Sequence, residues 1–229
     1  MDPSQRNITD GLYLINREQN TDTMQVVIIG GAGTVGATTA YSLAVECPKL
    51  DLTLVDIATD VREGHKIDIT HARTVGHLPQ FGDREAIGTV TGSSFGREAL
   101  STADVVIVAA SVPRPSGGAK RGGRSLFLER NRKLVTDIAD LLAAHKPVPV
   151  VVVTNPVDRI TYLMWQKTGW SRRYFLGYSL SETARAADKI SDLRGSSASS
   201  VYCPILGEHG EDLVPLFSRL RINNKPVRL

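Results

Sequence analysis

Apolar residues fall into short, nearly continuous runs, separated by longer stretches where they recur every three or four positions. Gln25–Ile29, Leu52–Asp56, Asp104–Ala109 and Val148–Thr154 are rich in valine, isoleucine and leucine without strict alternation, which predicts strands buried on both faces. Between them the spacing predicts helices over 34–46, 60–72, 125–145 and 156–168. Strand and helix therefore alternate, the order that builds a parallel sheet covered by helices. Beyond Gly177 the rhythm changes. A helical stretch, Ser181–Ile190, precedes a serine-rich turn at Gly195–Ser200 and strand candidates at Tyr202–Leu206 and Leu216–Ile222. Residues 1–23 are polar and aperiodic, with four acidic and two basic side chains, and are expected to form a flexible N-terminal extension with Met24 as an alternative start.

Composition narrows the class. At 41% hydrophobic and 22% charged residues the chain is globular in character, and no apolar run approaches the ~18 residues of a membrane helix. The first residues lack a basic start followed by an apolar core, so a cytoplasmic location is expected. Cys47 and Cys203 are far apart without metal-ligand neighbours, which predicts two buried thiols and no metal site. A net charge of +3 is too small to imply nucleic-acid binding. Its distribution is more informative: seven cations (Arg114, Lys120, Arg121, Arg124, Arg130, Arg132, Lys133) face one anion, Glu129, between Ser111 and Lys133. Such a cluster suits an anionic ligand.

Gly31-Ala-Gly33-Thr-Val-Gly36 follows a predicted strand and opens a predicted helix. Glycine there permits a tight turn, close approach of a pyrophosphate and close helix packing, and the helix terminus offers free N–H groups to the anion. Asp56 ends the next strand 20 residues after Gly36, where a carboxylate can accept from adenosine ribose hydroxyls. Its charge disfavours a 2′-phosphate, so NAD is expected over NADP.

Later residues suggest chemistry. Asn155, in Thr154-Asn155-Pro156-Val157-Asp158, falls at the expected carboxyl edge of the sheet, where ligands bind in open α/β folds; alternatively it starts a helix from an Asn-Pro turn. Gly207-Glu208-His209-Gly210 sets a histidine between flexible neighbours, accessible for proton transfer near neutral pH, although a lone loop histidine is more often an ordinary surface residue. Glu182 and Arg185 lie three apart, on one helical face. An acid can orient a histidine and an arginine can grip a carboxylate; equally, the two can form a surface ion pair. The arginine- and glycine-rich loop could close over an acidic substrate, contact RNA or be merely solvated.

From Met24 onward these motifs, in this order, resemble the L-lactate/L-malate dehydrogenase superfamily: Gly31–Gly36, Asp56, Val112-Pro113-Arg114, Arg124, Asn131, Asn155, Arg185 and His209. The resemblance implies a Rossmann-type doubly wound parallel sheet over 24–177, followed by the start of an α/β substrate domain over 178–229, expected to be incomplete. It implies NAD as cofactor, held by Gly31, Gly33, Thr34, Val35, Gly36, Asp56, Asn131, Val153 and Asn155. His209 would exchange the proton of a 2-hydroxy acid as hydride moves between its carbon and the nicotinamide, with Glu182 as the histidine's partner. Arg185 would hold the 1-carboxylate, Arg124 would polarise the carbonyl, Asn155 would bond the substrate oxygen, and Arg114 would meet a distal carboxylate, as in malate rather than lactate enzymes. The resemblance further implies a dimer or tetramer, with no nucleic-acid or membrane partner.

Three features depart from the family pattern. Its histidine partner is aspartate, where this chain has Glu182; the Arg114–Arg124 loop is longer than usual, so Arg121 is an alternative to Arg124; and the chain stops at Leu229. The resemblance therefore supports L-malate dehydrogenase, with two alternatives: L-lactate dehydrogenase, or an NAD-binding interaction protein of the same family with impaired catalysis.

Overall fold

The computed structural model describes residues 23–77, 87–113, 123–178, 180–208 and 212–227, with the backbone alone for 123–125. Its first part alternates as the apolar pattern requires. Strands β1 (Gln25–Ile29), β2 (Asp51–Val55), β3 (Val90–Ser93), β4 (Val105–Val108), β5 (Val150–Val152) and β6 (Phe175–Gly177) pair in the order β3-β2-β1-β4-β5-β6, every pair parallel. Helices α1 (Thr34–Glu46), α2 (Thr59–Gly76), α3 (Arg97–Leu100), α4 (Gly123–Ala143) and α5 (Val157–Thr168) make the crossovers.

Successive side chains of a strand point to opposite faces, and here both faces are covered. Val27 and Ile29 of β1 join Val106, Val108, Val150 and Val152 in a layer closed by Ile138 and Leu142 of α4 and Ile160 and Met164 of α5. Val26 and Ile28 face the other way, with Leu52, Leu54 and Ile107, under Ala40 and Ala44 of α1 and Ile69 of α2. Each fully buried Val, Ile or Leu contributes about 1.5–3 kcal/mol. The strands read as near-continuous apolar runs because neither face meets water. This is the doubly wound Rossmann-type sheet, whose strand order reverses between β1 and β4 and opens a crevice at their carboxyl ends.

Several boundaries differ from the expectations. β3 and β6 and the short α3 are additional, and α2 runs on to Gly76. The expected strand over Leu216–Ile222 is largely a 3₁₀ turn, Phe217–Arg219, with only β10 (Arg221–Ile222) paired. That segment has too few neighbours for a longer ladder: β10 lies between β7 (Val201–Tyr202) and β11 (Lys225–Pro226), while β8 (Ile205–Leu206) pairs with β9 (Val214–Pro215). Helix α6 (Ser181–Arg194) ends at Gly195, whose φ of 61° lets the chain reverse. Cys47 corrects the expectation of two buried thiols: it caps the C-terminus of α1 and is exposed, whereas Cys203 is buried and its thiol pKa is raised by that burial. Residues 1–22 of the expected extension lie outside the described residues. Among the described residues no helix is long and apolar enough to cross a membrane.

Candidate active site

The glycine loop joins β1 to α1 and its backbone is held on several sides. The N–H groups of Gly30 and Gly31 both donate to the Val55 carbonyl, and that of Gly33 to the Gly30 carbonyl. Space is the reason for the glycines. A Cβ on Gly36 would lie 2.1 Å from the Gly30 oxygen, and one on Gly31 would lie 2.8 Å from the Leu54 Cβ. Gly30, absent from the sequence expectation, is equally constrained: its φ is +95° and a Cβ there would meet the Ala110 nitrogen at 2.4 Å. The Gly-Gly doublet at the strand end was the signal for it.

The first helical bond of α1 runs from the Ala37 N–H to the Gly33 carbonyl. Thr34, Val35 and Gly36 precede it, and Gly33 has no side chain to cap them, so their N–H groups have no acceptor within the helix. Thr34 and Val35 are exposed at this terminus. Beside the loop, at the end of β2, Asp56 Oδ2 accepts from the Ala32 N–H at 3.0 Å and Oδ1 from the Ala58 N–H at 3.0 Å. The carboxylate is thereby fixed with lone pairs left over for a diol. A diphosphate at the helix terminus and a ribose at Asp56 fit these donors and acceptors.

On the other side of the reversal, Thr154 is buried, its hydroxyl donating to the Ala110 carbonyl at 2.8 Å and lying 3.1 Å from the Val108 carbonyl. This ties the end of β5 to that of β4, beneath Val153, whose N–H also donates to Val108. Asn155 follows, exposed at the carboxyl edge. Asn131 is expected from the sequence as a direct cofactor contact. It is fully buried on α4, with its amide oxygen accepting from the Val112 N–H at 2.9 Å and its amide nitrogen donating to the Phe127 carbonyl. Both ends are committed to backbone, so it anchors the segment that leaves β4.

The second part of the chain converges on the same edge. The Tyr178 N–H donates to the Val152 carbonyl, bringing the start of α6 beside the end of β5, and the Ile205 N–H donates to the Thr183 hydroxyl, bringing β8 against the first turn of α6. Glu208, after β8, accepts from Arg159 Nε of α5 at 2.6 Å, a pairing that the sequence did not signal. A groove of about 430 Å³ opens at this junction, between Leu128 and Arg132 of α4, Tyr162 and Leu163 of α5, and Glu208. Glu182 and Arg185, given separate roles from sequence, are ion-paired with each other; the acid is only 13% exposed and the arginine 67%. Their spacing on one turn makes the pairing local. His209, Arg114 and Arg121 lie outside the described residues, as does the side chain of Arg124.

A doubly wound sheet with a glycine loop at a helix terminus and an acid ending the second strand defines a dinucleotide-binding protein. Residues 24–177 match the lactate/malate dehydrogenase, NAD binding domain family model, and the chain belongs to that family. It is 32% identical over 207 residues to a malate dehydrogenase of Thioalkalivibrio sulfidiphilus, covering 90% of this chain and 63% of the relative. Among solved structures, it is similar to Cryptosporidium parvum malate dehydrogenase, with a TM-score of 0.77 and 28% identity over 90% of this chain and 62% of that one. Similar too is the lactate dehydrogenase from Cryptosporidium parvum complexed with lactic acid and nicotinamide adenine dinucleotide, with a TM-score of 0.77 and 26% identity over 90% and 61%. The chain thus spans 58–63% of the length of the curated relatives considered.

Proposed function

We propose that this chain acts in the NAD-dependent interconversion of L-malate and oxaloacetate. The observation that carries the proposal is convergence: Asn155, the Glu182–Arg185 turn and Glu208, the neighbour of His209, meet at the same sheet edge as the glycine loop and Asp56. Relatives named malate dehydrogenase at about the same level of identity support it. Bound NAD supplies the hydride acceptor.

The chain's own residues do the remainder. His209 takes the hydroxyl proton, and a neighbouring carboxylate stabilises the imidazolium that results. Arg185 binds the 1-carboxylate with the guanidinium N–H groups that Glu182 leaves available, and Asn155 donates to the substrate oxygen. Arg124 stabilises charge developing on that oxygen, a contribution of about 3–4 kcal/mol per donor in comparable sites. Arg114 selects the distal carboxylate. Residues 24–177 serve as the NAD-binding domain and 178 onward as the start of the substrate domain, in a cytoplasmic protein. Exposed Tyr41, Val45, Val61 and Ile67 on α1 and α2 support association with a second copy.

A second reading follows from the ion pair between Glu182 and Arg185, which occupies both the histidine's proposed partner and the carboxylate's proposed grip. In that reading the chain binds NAD as an interaction module with impaired catalysis. Calorimetry separates the two. Catalytic competence predicts that NADH binds and that malonate, a dicarboxylate that cannot react, then binds the NADH complex; the second reading predicts NADH binding alone.

A further inference from the structure

We infer that Arg62 is the positioning residue of the ribose site, acting through Asp56. This rests on Asp56 being the ribose acceptor. The β2–β3 ladder ends at Val55 and Ser93, and the Asp56 N–H reaches the Ser93 carbonyl only at 3.4 Å. Arg62, on the first turn of α2, replaces the missing ladder. Its Nη1 donates to the Asp56 carbonyl at 3.0 Å and to the Ser93 carbonyl at 2.9 Å, pinning both strand ends. The remainder of its fork, Nε and Nη2, donates to Glu63 Oε1.

The arrangement also decides which ribose fits. Arg62 is only 6% exposed and its fork is occupied, so it cannot turn outward to a 2′-phosphate. Glu63, itself bonded to Lys66 and Arg62, which hold its carboxyl below the ordinary range, balances the buried cation. The Asp56 carboxylate is thus held beside an arginine whose donors are turned to backbone carbonyls and to Glu63, which suits a free diol. Gly92 belongs to the same device: a Cβ there would meet Glu63 Oε1 at 2.4 Å and Arg62 Nε at 2.9 Å.

A double-mutant cycle on the full chain tests the inference, read as ADP-ribose affinity by calorimetry. Arg62→Lys keeps the charge but loses the fork, and is expected to weaken ADP-ribose about five- to tenfold. In an Asp56→Ala background the same change is expected to have no further effect, because its route to the ligand is gone. Gly92→Ala disturbs the fork without removing a charge and is expected to behave in the same way, should Arg62→Lys fold poorly. Loss by the same factor in both backgrounds would overturn the inference alone. Failure of the unaltered chain to bind ADP-ribose would overturn the nucleotide site and this inference with it.

Discussion

Gly36→Ala is the sharpest test of the phosphate loop because one methyl group collides with backbone alone. The new Cβ would stand 2.1 Å from the Gly30 oxygen, 2.8 Å from its carbonyl carbon and 3.1 Å from the Gly31 Cα. Carbon–oxygen contacts settle near ~3.3 Å, so loop and helix must separate by about 1 Å. Overpacking of this kind costs about 1–3 kcal/mol, against which alanine's helix preference returns up to about 1 kcal/mol. At about 2–4 °C per kcal/mol for a domain of this size, a net loss of about 1–3 kcal/mol lowers Tm by roughly 2–12 °C. Moving the Thr34, Val35 and Gly36 N–H groups away from a diphosphate removes at least one charge-assisted hydrogen bond, expected to weaken NADH about tenfold or more. Gly64→Ala is the matched control. Gly64 lies within α2 with nothing within 4 Å of its Cβ position, so alanine there should stabilise by about 0.5–1 kcal/mol and leave NADH affinity unchanged. Scanning calorimetry and NADH fluorescence titration measure both quantities. A Gly36→Ala chain with undiminished Tm and affinity would refute the packing argument.

Three other expectations follow from named contacts. Asn131→Ala removes the acceptor of the Val112 N–H and leaves that donor unpaired, and urea denaturation should show a loss of about 1–3 kcal/mol. Burial pushes the Asp51 carboxyl up, but bonds from Thr23 and Thr89 and the charge of Arg73 outweigh it and hold it below the ordinary value of 3.8. The folded state therefore binds that proton more weakly than the unfolded chain; its stabilisation is present above the ordinary carboxylate value and is lost as pH falls through the lowered folded value, so urea titrations of Asp51→Asn should show a shortfall at about pH 7 that shrinks as the solution is made more acidic than that ordinary value. Arg114→Gln should shift the kcat/KM ratio of oxaloacetate to pyruvate toward pyruvate by about 10²-fold or more, since an unpaired distal carboxylate is costly to enclose.

The sheet was legible where the sequence was most apolar. β1, β4 and β5 are rich in valine and isoleucine, and β2 in leucine, because both their faces are buried, so periodicity was not needed to find them. β3 was hidden because Val-Thr-Gly-Ser carries little apolar surface and is at the sheet edge; β6 was hidden because Leu176 and Gly177 are exposed. At the nucleotide crevice, the glycine spacing and Asp56 were readable because they answer to backbone geometry that any such loop must meet. Arg62, Thr154 and the Arg159–Glu208 pair were not. Their partners are carbonyls, or a side chain 49 positions away, and nothing local in the sequence marks such a bond. Asn131 was singled out by the sequence, but its full burial and the bond it accepts from the Val112 N–H were not signalled there.

Turnover addresses the central claim most directly. With the purified chain, NADH and oxaloacetate, NADH absorbance should fall at a rate proportional to protein concentration, more slowly with pyruvate and not at all with His209→Asn. An unaltered chain that binds NADH yet leaves its absorbance constant with oxaloacetate would contradict the proposed activity.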